Sequence, residues 1–371
     1  MPAPRSFRHL SVVPDLPPPS AYLPLLERAH AASWFTNFGP IVRAFEDDVL
    51  DALGVPGECC VSAANATAGL SAALLAARVA GPVLVPAFTF PASLGAVRAA
   101  GLQAIVVDVE PDTWALGAER LRSALDGTGA DAVMLVAPFG LERDVSEAFR
   151  LCRDRGATVV IDNAAGFGTP RRAAERHPGA FEVFSLHATK PLGIGEGGLV
   201  FGPRSHEAAL RSALNFGKSE STPLGYEGWG FNGKMSELQA AVGVAQFARR
   251  KDILARRQAF ASLYVEALAG LPLVHPTDPA SSPWQFFPVL LPDAATAERF
   301  VAAAADGGVE IRRYYRPSLS RLVEADGATP CPVAEDLADR MCVLPVRSQT
   351  SADLSRDIVR TTTAILARSL P

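Results

Sequence analysis

Lysine is the scarcest charged residue in this 371-residue chain, four against 31 arginines. A lysine in an apolar, small-residue setting is therefore a position to follow. A basic surplus is also missing: Lys plus Arg is 35, Asp plus Glu is 39, and the net charge is −4. That balance excludes nucleic acid and anionic membrane surfaces as expected partners. Cys59, Cys60, Cys152, Cys331 and Cys342 are odd in number and form no C-x-x-C pair. Neither a disulfide framework nor a zinc site is expected, no metal is expected, and a reducing compartment fits. The segment Met1–Pro19 is rich in Pro and Arg and lacks the unbroken apolar run of a signal peptide. No stretch approaches the roughly 20 apolar residues of a membrane span. Val61–Val85 is the most apolar region, and Asn65, Arg78 and Pro82 interrupt it. Repeats and low-complexity tracts are absent too, so a cytoplasmic globular protein is expected.

What is present is a composition 49% hydrophobic and 20% charged, that of a compact protein with about two domains. Short β-rich runs alternate with segments of helical length. The runs are Cys59–Ser62, Val83–Pro86, Ala104–Val109, Ala132–Val136, Thr158–Asp162, Val183–Leu186 and Gly198–Phe201. Between them lie helical segments at Thr67–Val79, Ser93–Ala100, Gly117–Leu125 and Val145–Arg155. This β-α-β-α order predicts an α/β fold with a mainly parallel sheet covered by helices on both faces. Met235 to about Leu268 reads as one long helix. A smaller α/β pattern follows, with an apolar run at Phe286–Leu291, a helix at Ala294–Ala305 and a strand near Val309–Arg312. A helix at Val333–Met341, a run at Val343–Val346 and a last helix at Ala352–Arg368 complete it. The expected division is a large domain over 1–245, then a linking helix and small domain over 246–371.

Ligands of open α/β sheets bind beyond the carboxyl ends of the strands, and four candidates follow such runs: Asn65–Thr67, Phe88-Thr-Phe90, Asp162 and Ser185–Lys190. Asp162 ends Thr158-Val-Val-Ile-Asp162 and is either a helix N-cap or internal ion-pair member, or a ligand group. Lys190 sits in Ser185-Leu-His-Ala-Thr-Lys190, before the glycine-rich turn Gly193–Gly198. It is either a snorkelling surface lysine or a nucleophile at a desolvated strand end. Asn65-Ala-Thr67 opens a helix, which makes it an ordinary N-cap or a phosphate site. Phe90 is a core phenylalanine or a stacking surface. Together they supply what pyridoxal phosphate (PLP) needs: a lysine for the Schiff base, an acid for the ring nitrogen, phosphate donors and an aromatic wall.

The chain resembles the DegT/StrS-type aminotransferases from about Trp34 to its last helix. The resemblance is carried by Thr36-Asn-Phe-Gly-Pro40, Val85-Pro-Ala-Phe-Thr-Phe-Pro-Ala-Ser93 and Val159-Val-Ile-Asp162. It is strongest in Phe184-Ser-Leu-His-Ala-Thr-Lys190 with Glu196-Gly-Gly198, and in Gly230-Phe-Asn-Gly-Lys-Met-Ser-Glu-Leu-Gln-Ala-Ala241. It implies a fold-type I PLP-dependent transferase. Lys190 would be the Schiff-base lysine and proton shuttle, Asp162 the partner of the pyridine nitrogen, and Phe90 the stacking ring. Ala66, Thr67 and Ser185 would hold the phosphate, and Asn232 would reach the phosphate of a neighbouring subunit's cofactor, which implies a homodimer. Thr36, Asn37, His187, Tyr314 and Tyr315 would face the substrate. The implied reaction takes an amino group from L-glutamate, through pyridoxamine phosphate, to a nucleotide-linked, dTDP-type keto-deoxysugar. Ala165 departs from the family's Asp-x-x-Gln pattern, in which the glutamine lies against the cofactor; either Asn163 or another side chain compensates, or the site holds a different ligand. A cyclitol or other small carbonyl acceptor, and a non-catalytic PLP-binding regulator, stay open. The family's dehydrating branch has histidine in place of the lysine, so Lys190 argues against it. Sugar selectivity is expected from loops such as Lys218–Trp229.

Overall fold

The computed structural model describes residues 7–141, 144–169, 171, 179–219, 222–323 and 329–371. Every apolar run of the first half is a strand: β1 (Glu58–Ala63), β2 (Val83–Pro86), β3 (Ala104–Val107), β4 (Ala132–Val136), β5 (Thr158–Asp162), β6 (Phe181–Ser185) and β7 (Gly198–Pro203). They form one sheet in the order β1-β7-β6-β5-β4-β2-β3. β7 pairs antiparallel with β1 and β6, and the remaining neighbours are parallel.

Alternate strand residues feed two separate apolar clusters, as a sheet covered on both faces requires. Val83, Val85, Met134 and Val160 enter one cluster, while Leu84, Val133, Leu135, Val159 and Ile161 enter the other. Helices α1 (Pro19–Ala31) and α2 (Pro40–Leu53), which the sequence reading did not assign, precede the sheet. α3 (Ala66–Ala76) and α4 (Pro91–Ala99) join the first cluster; α5 (Ala118–Thr128) and α6 (Ser146–Asp154) join the second. α7 (Glu207–Leu214) packs beside α3.

The long helix expected over Met235–Leu268 is two helices, α8 (Glu237–Ala248) and α9 (Arg250–Ala267). A capping box between Ser236 and Gln239 starts α8. At the break, Arg249 reaches Asp15 at 2.7 Å, tying the junction to the N-terminal segment. Beyond it lies a two-stranded antiparallel sheet of β8 (Phe286–Leu290) and β9 (Met341–Pro345). α10 (Ala294–Asp306), the short α11 (Leu319–Leu322), α12 (Pro332–Arg340) and α13 (Ala352–Ser369) accompany it.

The strand expected near Val309–Arg312 does not form. Gly308 and Glu310 bond His9, whereas Arg312 bonds Val343, so the segment changes partner midway and builds no ladder. All five cysteines are free and buried. Among the described residues no helix is long and apolar enough to cross a membrane. Residues 220 and 221 of the Lys218–Trp229 loop lie outside the described residues.

Candidate active site

A cavity of about 650 Å³ opens at the carboxyl ends of β4, β5 and β6, and residues Gln285, Phe286, Arg312, Tyr314 and Tyr315 close it from the side of the small sheet. Ala66, Thr67, Phe90, Asp162, Ser185, His187, Lys190, Tyr314 and Tyr315 all line it. The structure therefore brings together nine of the residues singled out in the sequence.

Three do not reach this cavity. Thr36 and Asn37 are exposed beside Trp34, whose indole N–H donates to the Thr36 carbonyl. Asn232 is exposed and accepts from Lys234 Nζ at 2.8 Å.

The phosphate end is built by a strand, a cap and a glycine. β1 leads into Asn65, whose side chain accepts from Ala68 N and caps α3. The capping reading of Asn65 is thus correct, and it leaves the amides of Ala66 and Thr67 at the helix start. A helix start of this kind favours an anion. Gly198 opens β7 directly behind it. A Cβ at Gly198 would lie 2.6 Å from the Asn65 carbonyl carbon and 2.7 Å from the Ala66 nitrogen, so only glycine permits this approach. Gly198→Ala is expected to shift the start of α3. The cost should be about 1–3 kcal/mol of stability, the usual range for overpacking, with weaker cofactor retention. Urea unfolding of the cofactor-free protein and equilibrium dialysis with PLP would read the two effects.

Asp162 ends β5 and is buried. Ser93 Oγ donates to one carboxylate oxygen at 2.6 Å and the Ala164 N–H to the other at 3.2 Å. Thr89 Oγ1 lies 2.8 Å from Ser93 Oγ and steadies it. Burial pushes the carboxyl above its ordinary value, against the opposing pull of those two bonds and of Lys190. A carboxylate held this way favours a cationic N–H partner. Lys190 follows a turn in which its own N–H bonds the His187 carbonyl. Its Nζ donates to Gln285 Oε1 at 2.9 Å. Burial brings the amine down to about 8, with Asp162 opposing the shift. Such an amine can exchange protons near neutral pH.

Phe90 is the N-cap residue of α4 and is 55% exposed. The core reading of this residue is wrong, and its ring is available at the cavity mouth. Tyr315 stacks on Phe139, with ring centres 5.3 Å apart and planes 12° apart. Arg312 is held by Glu310 at 2.9 Å. Ala165 lines the cavity as a small buried residue, and Asn163 does not take over a polar role there. The Asn163 amide donates instead to Glu182, which with Glu58 clamps the buried Arg171.

Gln285, Ser93 and Phe139 were not foreseen, nor was the role of Thr89. Ser93 and Thr89 lay inside a quoted motif and have polar side chains beside a strand end, a signal that was available. Gln285 is 95 residues from Lys190 and carried no local signal.

The residues fit pyridoxal phosphate: anion donors, an acid, an amine and an exposed ring face one cavity. The family model of DegT/DnrJ/EryC1/StrS aminotransferases matches residues 21–363. "Protein Mb3436c" of Mycobacterium bovis is 30% identical, with 95% of this chain and 88% of that protein covered. A dTDP-4-amino-4,6-dideoxy-D-glucose transaminase of Escherichia coli is 27% identical over 95% of this chain and 96% of the enzyme. The crystal structure of DesI in the presence of its TDP-sugar product superposes with a TM-score of 0.86 at 29% identity, covering 98% of this chain and 95% of DesI. The chain belongs to the DegT/DnrJ/EryC1/StrS aminotransferase family and is a pyridoxal-phosphate-dependent aminotransferase.

Proposed function

We propose that the protein transfers an amino group from L-glutamate to a nucleotide-linked keto-deoxysugar, with dTDP as the nucleotide. The observation that carries this reading is the convergence of Lys190, Asp162, Phe90 and the start of α3 on one cavity. The sugar and the nucleotide are supported by the likeness to the E. coli transaminase and to DesI.

Pyridoxal phosphate, when bound, supplies an electron sink for the charge left by a departing Cα proton. The chain does the rest. Ala66 and Thr67 at the start of α3, with Ser185, would hold the phosphate. Asp162, fixed by Ser93 and Ala164, would keep the ring nitrogen protonated. Lys190 Nζ would take the proton from the donor Cα as base and return it as acid. Phe90 would cover the ring, and His187, Tyr314 and Tyr315 would contact the substrate.

The same reading includes a homodimer, a cytoplasmic setting and a division of the chain into 1–245 and 246–371. Thr36, Asn37 and Asn232 would then complete a partner's site. The exposed Trp34, Phe35 and Trp229 support an interface in these segments.

Purified PLP-loaded protein should absorb near the visible edge and bleach on addition of L-glutamate. A panel of nucleotide-linked keto sugars, followed by mass spectrometry, should then show amination and recovery of the band. An unchanged spectrum with Lys190 intact would overturn glutamate as donor. Amination of a cyclitol in preference to every nucleotide sugar would overturn the acceptor.

A further inference from the structure

We propose that Gln285 is a positioning residue for Lys190, holding its amine at the head of a one-directional chain of hydrogen bonds through Thr189 to His187. The proposal rests on the role given to Lys190 above. Gln285 stands immediately before β8 and is buried, so protein groups must satisfy its amide. It has two partners. Lys190 Nζ lies 2.9 Å from Oε1, and Thr189 Oγ1 lies 3.2 Å from Nε2. Thr189 Oγ1 is in turn 2.8 Å from His187 Nδ1.

The donors and acceptors leave one arrangement. A lysine ammonium only donates, so it faces the amide oxygen and not the NH₂. The NH₂ then donates to Thr189 Oγ1, which leaves the threonine hydroxyl to donate to His187 Nδ1. The Thr189 backbone N–H also points at that nitrogen, at 3.3 Å. His187 Nδ1 is therefore an acceptor, and its ring proton sits on Nε2. That side faces Glu196 Oε1 at 3.7 Å, too long for a hydrogen bond but close enough for the carboxylate to bias the ring. Every bond donates outward from Lys190, so each polarises the next in the same sense. A glutamine cannot pass a proton on, so the chain orients the amine and stabilises its charged form without relaying protons.

The position also answers the missing glutamine at Ala165. Among the described residues, the cavity is lined by two amide side chains, Asn65 and Gln285. Asn65 is engaged in capping α3, which leaves Gln285 as the amide that reaches the reacting amine.

The scarcity of lysine makes the test direct, because Lys190, Lys218, Lys234 and Lys251 are the four lysines to be followed. Cofactor-free protein is treated briefly with acetic anhydride across a pH series. The rate at Lys190 is then read by peptide mass spectrometry. In Gln285→Leu the midpoint of the Lys190 profile should fall by about one pH unit, and in Gln285→Glu it should rise by about as much, the worth of one hydrogen bond to a charge. Thr189→Val should move it in the direction of the leucine variant, by less. The profiles of Lys218 and Lys251 should stay in place. Midpoints unchanged in the folded variants would overturn the proposal and reduce Gln285 to packing. Should Gln285→Leu not fold, the glutamate and valine variants decide it. Borohydride reduction of the PLP-loaded wild type separates the two readings. No adduct on Lys190 ends the role of that lysine, whereas an adduct with unmoved midpoints ends only the role of Gln285.

Discussion

Lys190→Ala is expected to lose covalent attachment of PLP and to lower turnover about 10⁴-fold, the upper end of what a positioned acid–base group contributes. The wild-type protein treated with borohydride should carry the reduced cofactor on the peptide containing Lys190; the variant should carry none. The effect is large because the other basic side chains lining the cavity, among the described residues, are committed elsewhere. Arg312 is committed to Glu310 and stays protonated. His187 is engaged by Thr189 on one ring nitrogen and faces Glu196 with the other. A small amine such as ethylamine, added to the variant, should restore part of the donor half-reaction, because the cavity left by the side chain admits it. Rescue without reattachment would separate proton transfer from anchoring. An adduct found on Lys218, Lys234 or Lys251 of the wild type would contradict the assignment outright.

Much of this site was legible in the sequence because the fold converts strand ends into ligand positions. Most of the seven apolar runs are buried on both faces, so they read as strands without alternation of polarity, and for all but the antiparallel β7 the first polar residue after the run falls at the same end of the sheet. Asn65, Thr89, Asp162 and Ser185 follow from that rule, with Phe90 and Lys190 a few residues further on. What stayed hidden depends on contacts distant in sequence. Gln285 enters from the opposite sheet, and a neutral amide before an apolar run carries no charge or motif to mark it. Ser93 supports Asp162 from α4 across 69 residues of sequence, so the pairing stayed hidden although its polar side chain beside a strand end was visible. At the break, Arg249 bonds Asp15, more than 200 residues earlier, a contact that no local pattern announces. The false strand at Val309–Arg312 has suitable residues, but it shares its backbone bonds between His9 and Val343. Thr36, Asn37 and Asn232 lie away from the cavity of their own chain, and no pattern within one chain can say what they face.

Asp162→Asn should separate activity from stability in opposite directions. An amide cannot hold a proton on the ring nitrogen, so turnover should fall about 10²–10³-fold, comparable to the loss of one preorganised electrostatic group. Stability of the cofactor-free protein should move the other way. Burial raises the folded-state pKa of Asp162, so the folded chain holds this proton more tightly than the unfolded chain. Its ionisation therefore costs stability as pH rises from the ordinary carboxylate range through the raised value, and the full cost is present above that. The asparagine keeps an oxygen that can accept from Ser93 and carries no such cost. The variant should melt at a higher temperature than the wild type at pH 7, and the gap should close as pH falls below the ordinary carboxylate range. Removing the carboxylate also removes a charge that opposes the lowering of Lys190, so the Lys190 amine should titrate below about 8 in this variant. Calorimetry across pH, with and without PLP, checks the argument. In the wild type, bound cofactor should raise the melting temperature more than it does in Asp162→Asn, because only the carboxylate gains a cationic partner. A variant less stable than the wild type at pH 7 would show that the carboxylate's bonds to Ser93 and Ala164 outweigh its burial.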